Sequence, residues 1–270
     1  MRFTSEISNL PLFIHLVQAL SKIDLEAIIH LTQDKIIFIL DSQDYIKVFS
    51  GVQQEYLFSE YSIQSLHNNE IGLKINLKNL LCALKSGSNI QEKISMKLTK
   101  KESNPFITIT INSDESKMIV THDVPVQVLT PQNLEQHPEP TLPEPEVKIM
   151  MPRLEVLQKV IEKMKNLSDF LIIEGDMGGN LKLKVETDVV TAETSFSNLD
   201  IVHFQELESP QANEDIKAVS KLDIKKFSRA LLCSIIKPSD VACCFIRNSI
   251  VLLHVTLDEL YITYYIASIL

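Results

Sequence analysis

Thr121, His122 and Asp123 set a hydroxyl, an imidazole and a carboxylate side by side, the three groups that a nucleophilic hydrolase brings together. Adjacency defeats that chemistry. The surrounding residues alternate as a strand, strand neighbours point to opposite faces, and a triad needs its members to converge. A strand-end turn held by Asp123 and Pro125 is the better reading. His15, His30, His67, His137, His203 and His254 share no ligand spacing with one another or with a cysteine, so no metal site is expected. Cys243 and Cys244 are adjacent, which suits packing in a strand better than a redox pair. With Cys82 and Cys233 they lie in apolar segments without a CxxC, the pattern of reduced core thiols in an intracellular protein. Only six glycines occur, none in a phosphate-cradling loop, and 176–180 reads as a hairpin turn. No catalytic residue, cofactor or metal is expected.

The chemistry that remains is cationic. The phrase NLKNLLCAL at 76–84 returns 147 positions later as DIKKFSRAL at 223–231. Each copy reads as the start of an amphipathic helix, with Asn or Asp at the cap and basic residues away from the apolar face. The apolar positions are Leu77, Leu80, Leu81 and Leu84 in the first copy, and Ile224, Phe227, Ala230 and Leu231 in the second.

The elements that carry these helices repeat as well. Residues 9–23 form a helix with Leu10, Phe13, Ile14, Val17 and Leu20 on its core stripe. Strands follow at 25–31, 35–41, 45–51, 61–64 and 70–75, then the first repeated helix, then strands at 90–99, 106–112 and 117–122. The second half replays that order. A helix at 152–166 has Pro152 in its first turn and Leu154, Leu157, Val160, Ile161 and Met164 on one side. Strands at 170–174, 180–186, 189–196 and 215–220 lead to the second repeated helix, with a polar loop at 206–214. Strands at 241–247, 249–257 and 259–267 close the half. The fold class is therefore α+β in two related halves.

Between the halves, 130–147 carries prolines at 131, 138, 140, 143 and 145 and acids at 135, 139, 144 and 146. Such a segment stays extended and out of a sheet, so it is a connector on the surface, either a plain spacer or the wall of a docking site. The expected domains are 1–129 and 148–270. At 270 residues, of which 45% are hydrophobic, the chain is long enough for two cores. It has no apolar run of membrane-spanning length, and its start lacks the pattern of a signal peptide, so a soluble protein that is not exported is expected.

A net charge of −9 argues against nucleic acid taken as a total, but its distribution does not. The four predicted helices with their flanks, 8–23, 77–87, 152–166 and 221–234, carry +1, +2, +2 and +3, or +8 together, so the remainder carries −17. Solvated helix faces account for any one of these values, yet all four share the sign. Four such helices on one side of two sheets would follow a phosphate backbone without reading bases.

The stretches NNEIGLKI (68–75), MIVTHDVPVQVL (118–129), PEPEVKIMMP (143–152) and VIEKMKNLSDFLIIEGDMGGNLKLKVET (160–187) resemble the Hus-type subunit of the DNA-damage checkpoint clamp. That family belongs to the superfamily of PCNA-like sliding clamps. The resemblance implies a two-domain clamp fold whose four helices line the hole of a three-subunit ring, with antiparallel sheets as its outer wall. It also implies two paralogous subunits as ring partners, double-stranded DNA without sequence preference, an ATP-driven clamp loader, and checkpoint and repair proteins as clients. A nuclear location with room for a cytoplasmic pool follows, and no membrane partner. Lys22, Lys78, Lys85, Lys159, Lys163, Lys165, Lys221, Lys225, Lys226 and Arg229 match the channel-lining helices and are the expected phosphate contacts. The first helix departs from that lining, since it offers only Lys22 and His15. Ring closure in the superfamily joins edge strands, and the matching strands here are 117–122, with Lys117, Ile119 and Thr121, and 189–196, with Val189, Thr191 and Glu193. The alternative from a different class is a scaffold whose basic helices bind an acidic protein.

Overall fold

The computed structural model describes residues 1–41, 46–87, 93–113, 118–201, 216–246 and 249–269. The chain divides into two compact units, the first mainly Met1–Asp41 with Val48–Glu139, the second mainly Pro140–Asp258 with Ile262–Leu270.

In the first unit the order is β1 (Arg2–Ile7), α1 (Leu10–Leu20), β2 (Glu26–Leu31), β3 (Lys35–Asp41), β4 (Ile46–Gln53), the short α2 (Gln54–Leu57), β5 (Phe58–Gln64), β6 (Ile71–Asn76), α3 (Leu77–Lys85), β7 (Lys93–Lys101), β8 (Asn104–Ser113), β9 (Met118–Leu129) and α4 (Pro131–Leu134). Side by side the strands run β4-β3-β2-β6-β9-β8-β7-β1-β5. One strand joins the two halves of that array: β9 pairs with β8 from Met118 to Pro125, and with β6 from Val126 to Leu129. Pro125 stands at the handover, where its missing N–H costs least. The strand-end turn expected at Asp123 is therefore absent, and β9 passes straight through it.

α1 and α3 lie side by side over this unit's sheet. Asn9 and Asn76 cap them, their Oδ1 atoms accepting from the Leu12 and Asn79 amides at 3.3 and 3.1 Å. On α3 the buried residues are Leu77, Leu80, Ala83 and Leu84, while Leu81 is only half-buried. α1 differs more from expectation. Leu12, Phe13, Ile14, Leu16, Val17, Ala19 and Leu20 are all buried, so the helix is apolar nearly all round and has no charged residue. Each of the Leu, Ile, Val and Phe side chains contributes roughly 1.5 to 3 kcal/mol on leaving water.

The second unit comprises β10 (Val147–Met150), α5 (Leu154–Met164), β11 (Phe170–Asp176), β12 (Leu181–Glu186), β13 (Thr191–Phe196), β14 (Lys217–Asp223), α6 (Ile224–Ala230), a 3-10 segment (Leu231–Ile236), β15 (Asp240–Ile246), β16 (Ile250–Leu257) and β17 (Leu260–Ala267). Its strands form a run β10-β15-β16-β17 and a four-stranded sheet β13-β12-β11-β14. Alternation is clean in β12, where Leu181, Leu183 and Val185 are buried and Lys182, Lys184 and Glu186 face outward. Gly179, with φ at 76°, makes the β11–β12 hairpin, and a Cβ there would stand 2.4 Å from the Leu199 carbonyl oxygen.

The proline-rich segment is not uniformly extended. Pro131 at the first position and Thr130 as the cap start the helical turn α4, and Leu134 reaches Gly72, where a Cβ would lie 3.2 Å from its Cδ1. His137 Nδ1 lies 3.2 Å from Asp41 Oδ2, so this stretch is held against the first unit. At its other end Val147 already pairs with Phe245. The loop expected at 206–214 lies outside the described residues.

Candidate functional site

The outward face of α3 presents Lys78, Asn79, Cys82 and Lys85, all exposed. Cys82 is thus not the core thiol its apolar neighbours suggested. The other three cysteines are buried, and burial pushes the Cys233 thiol up to about 12 and Cys244 to about 11, which removes thiolate reactivity at neutral pH.

On α5 the buried side is Leu154, Leu157, Ile161 and Met164. Lys159 and Lys163 are exposed on the other, but Glu155 and Glu162 share the helix, so the helix proper is neutral and its expected positive charge resides in the flanking Arg153 and Lys165. Lys165 caps the C-terminus and donates to Glu162 Oε1 at 2.6 Å, which holds that carboxyl below its ordinary range. Ser228 of α6 also donates to Glu162, at 3.3 Å.

α6 is the most cationic element. Asp223 caps it, Oδ1 accepting from the Lys225 and Lys226 amides at 2.9 and 3.1 Å, and Ile224, Phe227 and Ala230 are buried. Lys225 and Arg229 are exposed and Lys226 is half-buried. The chain then tightens into the 3-10 segment, where Gln158 of α5 donates to the Leu231 carbonyl at 2.7 Å and ties the two helices together.

Besides the cap residue Lys165, two predicted cations sit off the helices. Lys22 falls in the turn after α1, and Lys221 lies on β14, its ammonium 4.7 Å from the centre of the Phe170 ring. Sequence periodicity does not see where a strand ends and a cap begins, so a window around the repeated phrase absorbed Lys221. Among the described residues Lys78, Lys159, Lys163 and Arg229 make no ion pair, whereas Lys165 and Lys225 are engaged with Glu162 and Asp169. Asp169 escaped sequence reading because its partner is distant in the chain. The clue was the Ser168-Asp169 break before an apolar run.

Of the two expected assembly strands, β13 is a sheet edge and β9 is open along its first part. From Met118 to Val124, β9 has β8 on one side and no strand on the other among the described residues, with Ile119 70% exposed. β13 ends the four-stranded sheet, with Thr191 and Glu193 outward and Glu193 3.1 Å from Lys182 Nζ. Lys117 lies outside the described residues. Val189 precedes β13, in a turn where Thr187 Oγ1 accepts from the Val190 amide, and is 90% exposed.

The Thr121-His122-Asp123 group has a structural job. Asp123 Oδ1 accepts from Thr108 Oγ1 at 2.6 Å and Oδ2 from Lys101 Nζ at 2.5 Å, holding that carboxyl below its ordinary range, while His122 points to the other face of β9. Among the described residues no three His, Cys, Asp or Glu side chains gather where a metal would fit, and no helix is long and apolar enough to cross a membrane.

The chain matches the Hus1-like protein family over residues 1–269. It is 39% identical to the checkpoint protein hus1 homolog of Dictyostelium discoideum, covering 98% of each chain. It is 30% identical to checkpoint protein hus1 of Schizosaccharomyces pombe over 99% of each, and 29% identical to checkpoint protein HUS1 of Homo sapiens over 100% of each. Proliferating cellular nuclear antigen of Entamoeba histolytica shares the fold at a TM-score of 0.78, with 14% identity over 99% of both chains. The same antigen from Thermococcus kodakaraensis superposes at 0.74, with 20% identity over 99% of this chain and 100% of that one.

Proposed function

We infer the function from one premise: this chain belongs to the Hus1-like protein family. It has the PCNA-like clamp fold and is a non-enzymatic checkpoint clamp subunit. Beyond that, we read it as one member of a heterotrimeric ring completed by two paralogous subunits. A clamp loader places the ring on double-stranded DNA at damage, in the nucleus. The DNA passes through without being chemically altered, and the assembled clamp is a scaffold for checkpoint kinase activation and repair enzymes. The residues 1–129 and 148–270 serve as the two clamp domains, joined by the connector 130–147.

The observation that carries this reading is the recurrence of one construction in both units. Each unit packs a pair of helices on its own sheet with exposed cations turned away from it, Lys78 and Lys85 of α3 alone in the first unit, Lys159, Lys163 and Arg229 of α5 and α6 in the second. Such a surface attracts phosphate through charge and shape, without base readout. The two open edges, β9 and β13, supply unpaired backbone groups for strand-to-strand joining with neighbours. Family membership and fold favour this over a scaffold whose helices bind an acidic protein.

Retention of the assembled ring on closed circular DNA tests it. Reversing Lys159, Lys163 and Arg229 to Glu is expected to release the ring while leaving the three-subunit assembly intact. Full retention in the variant overturns the role of these helices.

A further inference from the structure

On the four-stranded sheet, β11 and β14 pair so that Ile172 stands opposite Lys221 and Glu174 opposite Val219. Leu171, Ile173, Ala218 and Leu222 are buried beneath them, so Phe170, Ile172, Lys217, Val219 and Lys221 share the outward face. Phe170 is 42% exposed and Val219 44%, and Ile172 is half-buried between them. An outward strand face normally alternates to polar residues, and here three apolar side chains adjoin instead.

The charges around this cluster are not equivalent. Lys182 and Lys184 are held by Glu193 at 3.1 Å and Glu186 at 2.9 Å. Asp176 is consumed by its own turn, Oδ1 accepting from the Gly178 and Asn180 amides at 2.9 and 3.0 Å. Among the described residues Lys217 and Lys221 make no ion pair, and both are exposed, the Lys221 ammonium lying 4.7 Å from the centre of the Phe170 ring. The free edge of β14 is closed at this point, since the Ile269 amide donates to the Lys221 carbonyl at 2.7 Å. A partner here lies on the face of the sheet and does not extend it.

We propose that this face docks a short acidic segment of a partner protein, with a large apolar side chain of that segment on Phe170, Ile172 and Val219 and its carboxylates on Lys217 and Lys221. A DNA duplex fits less well, because across this face it would also meet Glu186 and Glu193 on β12 and β13, two and three strands away from the β14 lysines that a short segment follows. The inference goes beyond the clamp reading and is independent of ring closure, being measurable on the isolated chain.

The test is fluorescence anisotropy of the full chain with a labelled synthetic peptide in which aspartates alternate with leucine around one phenylalanine. The comparators are the same peptide with lysine for aspartate, and a labelled DNA duplex. The K217E/K221E and V219D variants are expected to weaken the acidic peptide by at least about tenfold, with unchanged thermal midpoints, because all three positions are exposed. F170A serves if either variant fails to fold. Equal binding to wild type and variants, equal binding of the lysine peptide, no binding at about millimolar peptide, or a duplex affinity that falls in K217E/K221E each overturns the proposal.

Discussion

Lys225 Nζ and Asp169 Oδ1 stand 2.6 Å apart, which ties the most cationic helix of the molecule to the bend before β11. The carboxylate raises the pKa of Lys225 and cancels part of its field. An exposed pair adds little to stability, but it decides which helix cations carry their charge without a carboxylate beside them.

The first prediction ranks the helix cations accordingly. Each phosphate contact contributes roughly 0.9 to the slope of log affinity against log salt. Reversal of Lys159, Lys163 and Arg229 is expected to lower that slope by about 3, while K225A changes it less than K159A does. A titration of the assembled ring on duplex DNA across salt concentrations reads both, and equal effects of K225A and K159A refute the ranking.

The second concerns assembly. Ile119 stands 70% exposed on the open side of the first unit's sheet. The I119D variant is expected to fold with an unchanged thermal midpoint but to lose 1:1:1 assembly with the two paralogous subunits, as read by native mass measurement. A closed homotrimer of the wild-type chain alone would contradict the heterotrimeric reading outright.

The third follows from Asp123. Its folded pKa is depressed, first by the Lys101 and then by the Thr108 hydrogen bond. Its contribution is therefore complete above the unfolded value, about 3.9, and disappears as pH falls through the lower folded value. Since the side chain retains 29% exposure, D123N is expected to cost no more than about 1 kcal/mol at neutral pH. The gap in urea midpoint between wild type and D123N should close below about pH 4. A gap that widens in acid would show the sign to be wrong.

The fourth is a packing test. A Cβ on Gly175 would lie 2.6 Å from Phe245 Cε2 and 3.0 Å from Ile149 Cδ1. Phe245 and Ile149 are themselves fully buried, so neither ring nor methyl has room to retreat. G175A is expected to lose about 1 to 3 kcal/mol, visible as a lower thermal midpoint, and an unchanged midpoint would mean that the site relaxes freely.

Local pattern was enough for most of the architecture. The repeated caps Asn76 and Asp223 start α3 and α6 as their side chains dictate, and alternation placed β2, β3, β12 and β16 almost to the residue. The same signals marked β9 and β13 as candidate edges. What they do not carry is the identity of a neighbour. That Lys225 is engaged and Arg229 is not, that Lys221 sits on a strand over Phe170, and that Asp123 closes a bond to Thr108 all depend on residues brought together from distant parts of the chain. Periodicity reports which side of an element is apolar, because burial is a property of one element and its core. Which cation is neutralised, and which strand remains unpartnered, is settled only when the tertiary packing chooses who stands across the gap.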